Sequence, residues 1–146
     1  MAVFHLSHST HLIMNNNLLL GLVSFGLLFS GYLSGIKFFN EVCAFNESCP
    51  YFFGYPACYF GFGMYLVMFI FLIAARMGKA SATMLQGVLS VSFLGILFAG
   101  YFTVKELATL FDRGFSEYVL GLPTCAYGLV VFVAIFAVAM KLHRKE

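Results

Sequence analysis

The chain of 146 residues is 62% hydrophobic and 10% charged, with a formal net charge of +2 and a mean hydropathy of +0.94. Soluble domains carry charge on about a quarter of their residues, so a water-soluble globular domain is excluded. A balance so close to neutral also leaves no basic surface on which nucleic acid could bind.

The runs 18–36, 51–75, 80–104 and 118–140 contain no charged residue. Each is about long enough for a helix to cross the ~30 Å hydrocarbon core of a bilayer. A β-barrel would show short alternating strands instead of continuous apolar runs. The sequence therefore predicts an all-α integral membrane protein, one membrane domain over 1–146, with transmembrane helices at 17–39, 56–76, 83–107 and 122–141.

Ahead of the first span, His5, His8 and His11 are spaced to share roughly one helical face. Imidazole is a common metal ligand, but no cysteine or carboxylate in this segment completes a ligand set, so a polar terminal segment at the interface is expected and no metal. Asn15, Asn16 and Asn17 offer a helix cap. The first span reads as retained and not as a cleaved signal, because no basic leader precedes it and its apolar run is long. Gly26, Ser30 and Ser34 recur every four residues along it. In lipid, helices associate by close packing at such small residues, so these three are candidate helix-packing positions.

The loop that follows, 40–55, carries Glu41, Cys43, Glu47 and Cys49. Asn46-Glu47-Ser48 matches the glycosylation acceptor pattern; so short a match is frequent by chance, and an unmodified loop is expected. The second span opens at Pro56, where a missing amide hydrogen is harmless, which sets Cys58 in the first helical turn. After a short turn at 77–81 the third span carries its own small-residue row, Gly95, Ala99 and Thr103. Segment 105–121 holds Lys105, Glu106, Asp112, Arg113 and Glu117 and has room for a short interfacial helix. Pro123 opens the fourth span, with Cys125 in its first turn. Arg76 and Lys79 after the second span, and Lys141, Arg144 and Lys145 after the fourth, place both termini in the cytoplasm and the cysteine-bearing loops on the outer or lumenal side.

Two stretches echo each other. Tyr51, Gly54, Pro56, Cys58 and Gly61 match Tyr118, Gly121, Pro123, Cys125 and Gly128 at one constant offset. Gly26-Leu-Leu-Phe-Ser-Gly-Tyr-Leu-Ser34 matches Gly95-Ile-Leu-Phe-Ala-Gly-Tyr-Phe-Thr103 at nearly the same offset. Two matches in the same order imply a tandem duplication of a two-helix hairpin of roughly 70 residues, with repeats at about 18–79 and 85–145. Two spans per copy insert both copies the same way up, so the expected architecture is a four-helix bundle with a pseudo-two-fold axis along the membrane normal. Gly61 and Gly128 join the candidate packing positions.

The four cysteines are the one chemical constellation, and they permit three pairings. Cys43 with Cys49 leaves Cys58 to meet Cys125 across the axis. Cys49 with Cys58 leaves Cys43 for Cys125. No Asp, Glu, Lys, Arg or His lies in the middle of any span, whereas ion and proton pathways use such groups. The leading expectation is a small non-catalytic integral membrane subunit without a cofactor, braced by outward-side disulfides and packed among other membrane subunits. The alternative is a membrane thiol-disulfide oxidoreductase using Cys58 and Cys125, whose helix-start position can activate a thiol. In outline, four helices with cysteines at one face resemble the vitamin K epoxide reductases and the bacterial quinone-linked disulfide-generating enzymes. That resemblance implies a quinone acceptor; it covers architecture only, since no two cysteines here form the Cys-x-x-Cys pair of those families.

Overall fold

The computed structural model describes residues 2–41, 51–78, 81–114 and 124–145. Its helices are α1 (Ala2–Asn40), α2 (Ala57–Arg76), α3 (Ser81–Arg113) and α4 (Thr124–His143), and a short hairpin of β1 (Tyr51–Phe52) and β2 (Tyr55–Pro56) precedes α2. All four helices are long and apolar enough to cross a membrane, α1 over Asn16–Asn40, so this is a multi-pass membrane protein. Cys43, Cys49, the Asn46 acceptor, Lys79, Glu117 and Pro123 lie outside the described residues, as do the side chains of His5, His8 and His11.

Helix ends follow local chemistry. Gly78 (φ 81°) and Gly114 (φ 86°) take the left-handed conformation that closes a helix. The Gly114 amide donates to the Leu110 carbonyl at 2.8 Å. Glu41 does the same after α1 despite its side chain (φ 57°); its amide donates to the Lys37 carbonyl, and Lys37 Nζ donates to the Glu41 carbonyl at 2.7 Å. At 33 residues, α3 is about 50 Å long against a core of ~30 Å. It therefore runs past the hydrocarbon, and Lys105, Glu106, Asp112 and Arg113 belong to the helix and not to a separate segment.

The hairpin was not legible as such in the sequence, which reads as loop up to Pro56. Tyr51 pairs with Pro56 and Phe52 with Tyr55, around a turn in which both Phe53 (φ 50°) and Gly54 (φ 83°) have positive φ. That is the turn a two-residue hairpin needs. Phe is an unusual residue for it, so the composition carries no signal.

Each helix packs on two neighbours in the ring α1–α2–α3–α4, and the short connection between α2 and α3 makes those two antiparallel. Leu19, Val23, Met68, Val88, Ile135 and Ala139 form the centre of the core. At its heart the Tyr65 and Phe132 rings stack with centroids 4.4 Å apart and planes 11° from parallel. Each ring lies against a glycine: a Cβ on Gly26 would come within 2.3 Å of the Tyr65 ring, and one on Gly95 within 2.4 Å of the Phe132 ring. Absence of a side chain at those two positions lets an aromatic ring fill the bundle axis. The buried serine and threonine hydroxyls are satisfied within their own helices. Ser30 Oγ donates to the Gly26 carbonyl and Thr103 Oγ1 to the Ala99 carbonyl, both at 2.7 Å, and buried Ser92 donates to the Leu89 carbonyl at 3.0 Å.

Candidate functional site at the cysteine end of the bundle

Cys58 and Cys125 lie at the same end of the molecule. Tyr65, two turns into α2, donates its hydroxyl to the Gly128 carbonyl in the first turn of α4 at 3.1 Å, so the two helices begin at similar levels. No disulfide joins Cys58 to Cys125, and each keeps its thiol. Of the pairings that the sequence leaves open, the one across the axis is not formed here. The physical reason is visible in α4: the Cys125 thiol is directed at Glu106 Oε1 on α3, 4.0 Å away, and not across the bundle toward α2.

The surroundings of the two cysteines differ. On the first side, Ser34 Oγ donates to the Cys58 carbonyl at 3.2 Å, tying the end of α1 to the start of α2. One turn further along α1, Lys37 is close enough to interact electrostatically with Cys58, and its ammonium lies 5.6 Å from the Tyr51 ring centroid. On the second side, Glu106 is buried, at 9% exposure, and receives the Cys125 thiol. Lys37 and Glu106 are separated by 69 residues, the spacing that relates Gly26 to Gly95. Positions matched by the sequence echo thus carry a basic residue in one case and an acidic residue in the other. Sequence reasoning missed this pair, although carrying the Gly26–Ser34 echo three residues further aligns Lys37 with Glu106.

The small-residue candidates fall into two groups. Gly26, Ser30, Gly95, Ala99 and Thr103 are buried, and Ser34 is half-buried at the α1–α2 contact. Added Cβ atoms on Gly61 or Gly128 would meet nothing within 4 Å, so those two glycines are not close approaches between helices, and Gly128 contributes its carbonyl instead. A close approach that the sequence reading did not single out is Gly87, where a Cβ would come within 2.8 Å of the Phe71 ring. Among the described residues no group of three or more His, Cys, Asp or Glu side chains could hold a metal.

Beside the thiols, the hairpin folds onto α3 through aromatic contacts. Phe52 stands edge-on to Phe60, Phe98 and Phe102 with centroids 5.3, 5.4 and 6.2 Å apart. Between hairpin and helix lies an apolar groove of about 520 Å³, floored by Met64 and bordered on α3 by Leu94, Leu97, Phe98 and Tyr101. Lys105 Nζ stands over the Tyr101 ring, 4.7 Å from its centroid, at the end of that border. Comparison with protein-family models, with curated proteins and with solved structures finds no match to this chain.

Proposed function

We propose that this protein is a small, non-catalytic integral membrane subunit that packs within a larger membrane protein complex. The observation that carries the reading is the filled axis: the Tyr65–Phe132 stack occupies the bundle centre, and the buried hydroxyls of Ser30, Ser92 and Thr103 bond their own helices. An interior of this kind provides a rigid scaffold with no conduit along its axis. Its outward side chains are what it has to offer a partner. Near the cysteine end Phe38, Phe39, Phe53 and Phe111 are between 73% and 83% exposed, and aromatic rings are favoured both at interfaces with other subunits and at the headgroup layer. Both termini are taken to face the cytoplasm. Any bracing disulfide lies in the Cys43–Cys49 loop.

The same reading includes an ancestral two-helix hairpin copied in tandem, its copies related by an approximate two-fold axis along the membrane normal. Support comes from the glycine-seated rings. Tyr65 and Phe132 are 67 residues apart, as are Cys58 and Cys125, while Gly26 and Gly95 are 69 apart, as are Ser34 and Thr103. Each proposed copy therefore contains one glycine, one ring on it, and the two rings meet at the axis.

The test is purification of the tagged full chain from its native membrane in mild detergent, with the mass of the particle and its composition measured after chemical cross-linking. Co-migration with other integral membrane polypeptides is the expected result. A particle holding only this chain and lipid would overturn the proposal. The thiol oxidoreductase reading is favoured by one observation, the common level of the two thiols, and it predicts a Cys58–Cys125 disulfide that forms and reopens as a quinone-type acceptor and a thiol donor are supplied. Mass shifts after alkylation, with and without mild reductant, distinguish it: oxidation of both residues together, lost in Cys58→Ser and in Cys125→Ser, is its signature.

A further inference from the structure

We propose that the groove between the hairpin and α3 holds one acyl chain of an anionic phospholipid, with the phosphate held by Lys105. Three observations converge on this occupant.

The first is shape and chemistry. Leu94, Leu97 and Tyr101 are spaced to form one stripe along α3, all three are exposed, and with Phe52 and Met64 they border an open apolar groove of about 520 Å³. In a spanning helix an exposed apolar stripe faces lipid tails, and Phe52 of the hairpin gives that open face a raised edge on one side.

The second is length. Lys105 lies eleven residues beyond Leu94 on the same helix, or about 16 Å at the helical rise. Half of the ~30 Å hydrocarbon core is about 15 Å. A lipid whose headgroup sits at Lys105 therefore has an acyl chain that ends near Leu94, where the groove ends.

The third is charge. Lys105 is exposed and its ammonium is placed over Tyr101 at the mouth of the groove. A lysine whose stem lies along apolar surface and whose head reaches the interface suits a lipid phosphate. The adjacent carboxylate, Glu106, is buried and faces Cys125 on α4, so it does not cancel the ammonium at the groove. Asp112 and Arg113 follow about two turns later along the exposed helix end.

The experiment uses the full chain reconstituted in nanodiscs with equal phosphatidylglycerol and phosphatidylcholine, then released in mild detergent and weighed by native mass spectrometry. The wild type is expected to retain one phosphatidylglycerol in preference to phosphatidylcholine by about fivefold, the effect of one lysine near an anionic lipid. Lys105→Gln loses the preference and Lys105→Arg keeps it. Leu97→Trp, which fills the groove, loses retention of both lipids while circular dichroism confirms the helical fold. Equal retention of the two lipids by the wild type, or preference unchanged in both Lys105→Gln and Leu97→Trp, overturns the proposal. Retention of an added quinone in place of phosphatidylglycerol, blocked by Leu97→Trp, overturns it as well.

Discussion

The hairpin of α1 and α2 and the hairpin of α3 and α4 are alike where they are buried and unlike where they reach the cysteine end. In both, a glycine accepts an aromatic ring from the following helix, Gly26 under Tyr65 and Gly95 under Phe132. At the end of the bundle, Lys37 stands near Cys58 and Glu106 receives Cys125. Ser34 bonds across to the Cys58 carbonyl, whereas Thr103 bonds back to its own helix. Tyr65 reaches the other hairpin through its hydroxyl, and Phe132 has none to offer. Packing in lipid depends on contact geometry, so a ring on a glycine tolerates little change in either half. Polar groups near the interface have water and headgroups as alternative partners, and there the two halves are chemically distinct.

Substitutions at the shared contact have the largest expected effects. Phe132→Ala removes half of the central stack and is expected to destabilise the bundle by about 3–5 kcal/mol, read from reversible denaturation in mixed micelles. A loss below about 1 kcal/mol would show that the stack is not what holds the hairpins together. Next come Gly26→Ala and Gly95→Ala, each forcing a methyl into a buried ring, with losses of about 1–3 kcal/mol in the same assay. Similar losses at the two sites sharpen the likeness of the halves; a loss at one site alone breaks it.

Smaller effects probe the asymmetry. Tyr65→Phe makes the two rings identical and removes the bond to Gly128, and interhelical hydrogen bonds in membranes average ~0.6 kcal/mol with a maximum of ~1.7. A double-mutant comparison with Gly26→Ala in the same denaturation assay isolates that hydrogen bond from the ring's packing. The mildest pair is Gly61→Ala and Gly128→Ala. With open space around both positions, alanine is expected to be neutral or to stabilise by up to about 1 kcal/mol through its better helix propensity. Destabilisation at either site would mean that a neighbouring group packs against that position.

Much of the architecture was legible because the bilayer is a demanding solvent. A charge-free run of twenty residues has few options in hydrocarbon besides a helix, and four such runs define four membrane-capable helices. The Gly26, Ser30, Gly95, Ala99 and Thr103 rows could be picked out because small residues at four-residue spacing form one face whatever the tertiary structure. The same pattern at Gly61 and Gly128 has no ring or helix against it. Spacing identifies a face, and whether a neighbour arrives there is a separate matter.

The candidate site was less readable. The echo of the Pro-x-Cys corners pointed to Cys58 and Cys125, but an echo of residue types does not say where a thiol turns. Glu106 falls at the predicted end of the third span, 83–107, in a segment with room for a short interfacial helix; α3 instead continues unbroken through it to Arg113, with the carboxylate buried beside α4. The Phe52–Tyr55 hairpin rests on Phe53 and Gly54 at positive φ, a backbone choice with no compositional mark when the first residue is phenylalanine.

By itself, then, the sequence determined that four apolar runs are long enough to cross a membrane and where the small-residue rows fall, since both follow from hydrophobicity and periodicity along one chain. Only the tertiary structure decided which ring settles on which glycine, that Cys125 turns to Glu106 and not to Cys58, and that the hairpin closes a groove against α3. Those outcomes depend on contacts between residues from 19 to 50 positions apart, where distance in space is set by packing and leaves no trace in local composition.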